Sequence, residues 1–127
     1  MKPGLNLGHK ATICAKVTPA MFAQFEGEVV HPAYSTVAMV YHMEWASRQI
    51  ILPFLDEDEE GMGGAVTVKH LGVSGEGEAI ITTATLTEIK GRRIVTQVTV
   101  ENSQGLIGQG EVIQFILSKK ELKEKLK

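Results

Sequence analysis

The stretch Ser35–Leu55, STVAMVYHMEWASRQIILPFL, constrains the fold more than any other part of the chain. It is rich in alanine, methionine, leucine, glutamine and arginine and contains no glycine, so its composition favours helix. A strand of that length would be unusual, whereas a helix of about five turns is ordinary. Its apolar residues fall on nearly every side, so the rest of the domain is expected to enclose it. Pro53 ends or kinks it, and the acidic run Asp56–Glu60 returns the chain to solvent. The length would suit a membrane span, but His42, Glu44 and Arg48 occupy its middle. A charge at a bilayer centre costs roughly 3 kcal/mol or more, so the stretch reads as a buried helix of a soluble domain.

The flanking sequence supplies strands. His9–Thr18 alternates, with Ala11, Ile13, Ala15 and Val17 on one side. Pro19–Phe25 reads as a short helical turn with proline at its first position, and Glu26–Pro32 as a connection. Ser35 or Thr36 can cap the long helix. Gly61–Gly64 opens a strand over Ala65–Leu71, and Glu78–Lys90, Arg93–Glu101 and Leu106–Leu117 form an antiparallel meander. The turns fall at Lys90–Arg92 and Asn102–Gly105, both rich in turn formers. The order is strand, long helix, four strands. This predicts an α+β domain in which one five-stranded antiparallel sheet curls round a single helix. Apolar helix and strand edge left uncovered by such a unit call for a second copy of the chain.

At 127 residues the chain is expected to be one domain, ending in a lysine-rich tail over 118–127. A net charge of −2 gives no reason to expect nucleic acid or an anionic membrane as a partner. Cys14 stands alone and MKPGLNLGHK has no apolar run of signal-peptide length, so a cytoplasmic location is expected.

Several residues could carry chemistry. Glu44 is either an ordinary partner of Arg48 one turn on, or a carboxylate whose apolar flanks make it useful as a base or nucleophile. His70 closes the Ala65–Leu71 strand; it is either a surface residue or, beside the helix, a proton shuttle. The Thr36 hydroxyl could cap the helix or, beside free amides, hold a developing oxyanion. Gly63 and Gly64 could serve a turn or admit a substrate close to backbone. His42 is expected to be packed on the helix and His31 to lie in a loop. The four histidines lack metal-ligand spacing, so no metal is expected. Gly75–Ala79 (GEGEA) lacks the lysine of a phosphate loop and the spacing of a dinucleotide fingerprint.

The segment S-T-V-A-M-V-Y-H-M-E-W-A, followed by G-G-A-V-T-V-K-H and a closing G-x-G strand, resembles the fluoroacetyl-CoA thioesterase-like family of the hot-dog superfamily. The resemblance covers about residues 5–117. It implies a homodimer or a dimer of dimers, active sites at the subunit interface, and hydrolysis of a short acyl-CoA thioester with no separate cofactor. Thr36, Glu44 and His70 match the family's catalytic residues. Gly63, with Gly64 beside it, matches the glycine whose amide meets the thioester carbonyl. Phe22 and Phe25 resemble an aromatic lid, although the link from them to Thr36 is longer here. Related sequences carry H-x-R after the G-x-G, where this chain has Gln114 in place of the arginine. Contacts to coenzyme A would then fall to Arg92, Arg93 or Lys69. The resemblance leaves Glu44 as general base or as nucleophile. Two other activities stay open at this point: an acyl-CoA-binding module without catalysis, and an enoyl-CoA hydratase or dehydratase.

Overall fold

Alternation places the first strand. In β1 (Lys10–Lys16) every second side chain turns inward, as the period of a half-buried strand requires. The computed structural model describes residues 1–127. After a 3₁₀ turn at Pro19–Met21 come β2 (Phe22–Phe25) and β3 (Glu28–Tyr34), which pair as an antiparallel hairpin. The helix α1 (Thr36–Ile51) follows, then a 3₁₀ turn at Leu52–Phe54. Strands β4 (Glu59–His70), β5 (Ala79–Lys90), β6 (Arg93–Asn102) and β7 (Gly105–Ser118) complete the sheet, and α2 (Lys119–Lys125) ends the chain. The five-stranded antiparallel sheet has the order β1-β5-β6-β7-β4, so β1 and β4 are its edges.

One face of α1 makes the core. Met39, Met43, Ala46 and Ile50 recur at helical spacing and pack on Ile80, Leu86, Ile94, Val98 and Val112 of the sheet. Each such side chain contributes roughly 1.5–3 kcal/mol when taken from water. The helix lies directly on β7, because a Cβ on Gly108 would strike the Met39 sulfur and one on Gly110 would come within 2.9 Å of the Met43 methyl. Inside the core, the Ser47 and Thr96 hydroxyls meet at 2.7 Å and reach the Met43 and Val112 carbonyls.

Four expectations are corrected. Glu26–Pro32 is not a plain connection, and Phe22–Phe25 is not helical: together they build the β2–β3 hairpin. The fourth strand starts at Glu59 rather than Ala65, because pairing with β7 carries it through the acidic and glycine-rich residues, with an irregularity between Gly63 and Ala65. Of the two caps the sequence allowed, Ser35 is the one used, its hydroxyl accepting from the Ala38 amide at 3.0 Å, and Thr36 is the first helical residue. Within one chain α1 is covered on one side only: Val37, Tyr41 and Trp45 are 77%, 62% and 41% exposed.

Candidate active site

With Ser35 holding the helix end, the Thr36 hydroxyl is free for other work. It meets His70 Nδ1, at the end of β4, at 2.8 Å. The first amides of α1 have no intrahelical acceptors, so this hydroxyl–imidazole pair stands beside donors and the positive end of the helix dipole. Such a place can hold an oxyanion and move a proton. The Tyr34 ring meets His70 edge-on, with centroids 6.3 Å apart, and so flanks the imidazole.

A second pair forms further along α1. Glu44 lies against β4 at Gly63, where an added Cβ would come within 2.8 Å of Glu44 Oε1. Arg48, the partner one turn on, turns away to Glu60 at 3.0 Å. Glu44 therefore has no ion pair and is exposed in the single chain, not enclosed as its neighbours suggested. Gly64 occupies the irregularity beside it, and a side chain there would run into the Phe115 ring. Thr36 and Glu44 are eight residues apart, about 12 Å along a helix. One chain thus assembles two pairs, Thr36–His70 and Glu44–Gly63, at separate points of the α1–β4 contact.

The hairpin closes over the N-terminal half of α1. Phe22, Phe25, Val30, Val37 and Tyr41 line a cavity of about 630 Å³, with His42 and Thr36 also at its wall. A neighbouring cavity of about 600 Å³ is bounded by His31, Tyr34, Thr36, His70 and Val73. Thr36 borders both, so its hydroxyl stands between an apolar chamber and the imidazole. Arg92 and Arg93 lie away from these pairs, at the β5–β6 turn, where they bind Glu121 at 3.1 Å and Glu88 at 2.9 Å. Gln114 is buried opposite Gly63 with its Nε2 unpartnered. No group of His, Cys, Asp or Glu side chains is arranged to hold a metal.

Sequence reading missed one polar contact. The buried Tyr34 hydroxyl meets His42 Nδ1 at 2.6 Å, and burial holds that imidazole below its usual pKa. Burial also raises the Tyr34 phenol above its ordinary value. The two residues belong to β3 and α1, and only the unforeseen hairpin brings them together.

A five-stranded antiparallel sheet folded over one long helix is the hot-dog fold of the thioesterase superfamily. The chain belongs to the fluoroacetyl-CoA-specific thioesterase family, whose model matches residues 17–120. It is 29% identical over 121 residues to the fluoroacetyl-CoA thioesterase of Streptantibioticus cattleyicolor, covering 87% of this chain and 84% of that protein. A hypothetical protein of Thermus thermophilus, a thioesterase superfamily member, superimposes with a TM-score of 0.94 at 39% identity, over 98% of this chain and 92% of the other. A mutant of the fluoroacetyl-CoA-specific thioesterase, solved with fluoroacetate and CoA, superimposes with a TM-score of 0.85 at 25% identity. That likeness covers 92% of this chain and 98% of the other.

Proposed function

We propose that this chain is an acyl-CoA thioesterase that works as a homodimer, hydrolysing a short acyl-CoA to the free acid and CoA. The observation that carries the reading is the Thr36–His70 hydrogen bond at the wall of an apolar chamber, in a chain of this family. The superimposable thioesterase solved with fluoroacetate and CoA supports a CoA ester as substrate.

The dimer reading rests on β4. It is a sheet edge of 12 residues with one side unpaired, and α1 presents Val37, Tyr41 and Trp45 next to it. Antiparallel pairing of β4 with its copy, about a two-fold axis between Gly63 and His70, sets the Glu44–Gly63 end of one protomer against the Thr36–His70 end of the other. Each site then holds all four residues. The Gly63 amide receives the thioester carbonyl, and the acyl group enters the chamber under the hairpin. In the water route, Glu44 takes a proton as water adds to the carbonyl carbon, the C–S bond breaks, and His70 returns a proton to the thiolate. In the covalent route, Glu44 itself attacks the carbonyl carbon, the C–S bond breaks as the CoA thiolate leaves and takes a proton from His70, and water then cleaves the anhydride to the free acid. The CoA portion belongs to the substrate and no further cofactor is needed. The unpaired Cys14 suits a reducing cytoplasm.

The test is thiol release from acetyl-, propionyl-, butyryl-, phenylacetyl- and longer acyl-CoAs, with Glu44→Ala and His70→Ala beside the wild type. Losing an essential base lowers turnover about 10²–10⁴-fold. Undiminished release in Glu44→Ala ends the proposal. Oxygen-18 water under single-turnover conditions separates the two routes, since label retained in Glu44 requires the anhydride.

A further inference from the structure

We propose that His42 is a specificity residue whose Nε2–H, held in that tautomer by Tyr34, binds an oxygen acceptor on the acyl chain in the chamber beneath the β2–β3 hairpin. This rests on the thioesterase reading above for the identity of the occupant.

The tautomer follows from burial. Tyr34 is 2% exposed and its hydroxyl has one partner, His42 Nδ1 at 2.6 Å. If Nδ1 carried the proton, the phenolic hydrogen would be enclosed without an acceptor, a loss of about 1–3 kcal/mol. The phenol therefore donates to Nδ1, and the neutral ring carries its hydrogen on Nε2. Burial disfavours the imidazolium and keeps the ring in this form.

The direction of Nε2 follows from its surroundings. His42 is 3% exposed, and Nε2 has no partner in the protein. The only fully enclosed side-chain atoms without partners are Thr82 Oγ1 and Gln114 Nε2, so His42 Nε2 borders open space. The space that His42 lines is the 630 Å³ chamber. Of its other polar side chains, Gln24 donates to the carbonyls of Pro19 and Phe22, Ser35 caps the helix and Thr36 holds His70, while His31 and Tyr41 are exposed and open to water. A purely alkyl acyl group would enclose the His42 donor unsatisfied. A chain with a hydroxyl or keto oxygen satisfies it. His42 lies six residues beyond Thr36, about 9 Å along the helix, so the acceptor stands several bonds past the thioester carbonyl.

The experiment pairs CoA thioethers of equal chain length, one plain alkyl and one with a hydroxyl or keto oxygen, moving the oxygen along the chain. Calorimetry reads their affinities, and thiol release from the matching thioesters reads kcat/KM. Wild type is expected to favour the oxygenated member at one position by about tenfold or more, in both readouts. Tyr34→Phe combined with His42→Leu replaces both polar partners and should keep the fold. It is expected to bind the alkyl member at least as well and to lose the preference. Wild type showing no preference at any position overturns the proposal, as does a preference that survives in the double variant. Discrimination by the thioethers with no thiol from any ester would sink the thioesterase reading and leave this pocket standing. Thiol release without discrimination would do the reverse.

Discussion

A Cβ built on Gly63 stands 2.8 Å from Glu44 Oε1, closer than side-chain carbons approach oxygen, so the carboxylate rests over bare β4 backbone. Gly63→Ala forces Glu44 aside without touching the core. We expect thiol release to fall on the order of 10²-fold, as for other small displacements of a reacting group. The melting temperature should change little, because the Glu44 head is exposed. An unchanged kcat would detach this contact from the chemistry.

Gly110→Ala should act in the opposite way. Its Cβ would collide with the Thr67 carbonyl of β4 and come within 2.9 Å of the Met43 methyl. Backbone cannot step aside as a side chain can, so overpacking of at least about 1–3 kcal/mol is expected. Urea unfolding measures it, and a midpoint equal to wild type would contradict the packing described for β4 and β7.

A site shared across the dimer can be tested by mixing. Glu44→Ala and His70→Ala homodimers should both be inactive. Unfolded together and refolded as a mixture, they should recover roughly a quarter of the wild-type rate, since half the dimers are mixed and half of their sites are intact. No recovery, with mixed dimers confirmed by mass, would put Glu44 and His70 of the same chain in one site.

Stability should depend on His42 protonation. The native ring is held below its ordinary 6.5 by burial, while the unfolded chain takes up a proton near that value. The unfolded state binds more protons there, so stability falls as pH drops. The contribution is complete above about pH 6.5 and is lost as pH falls toward the lower native value. Glu60, held down chiefly by the Gly61 amide, acts only below its own ordinary 4.5. Urea midpoints measured on both sides of pH 6.5 should diverge for wild type and lie closer together for Tyr34→Phe/His42→Leu. Equal slopes would show that His42 is not the group responsible.

The five-stranded sheet and its helix were legible because their burial follows simple periods, two along β1 and 3.6 along α1. The β2–β3 hairpin was not. Glu28–Pro32 are all exposed, so no alternation marks the strand, and Pro32 argues against one. The start of β4 was hidden for a related reason. Its acidic and glycine residues have poor strand propensity, and only the partner β7 makes them extended. Thr36, Glu44, Gly63 and His70 were singled out by their chemistry and their likeness to a family, and the structure joins them in two pairs. Tyr34 and His42 carry no such local signal, since their contact depends on how β3 enters α1.

Ser35 and Thr36 are neighbours with nearly the same chemistry, yet one secures the helix and the other faces the chamber. With Thr36 in its proposed role, catalysis and folding are uncoupled at adjacent positions. Drift at position 36 leaves the helix cap untouched, so under the proposed mechanism a lineage with this architecture stands one substitution from a folded, ligand-holding protein that no longer turns over, and one reversion from an enzyme.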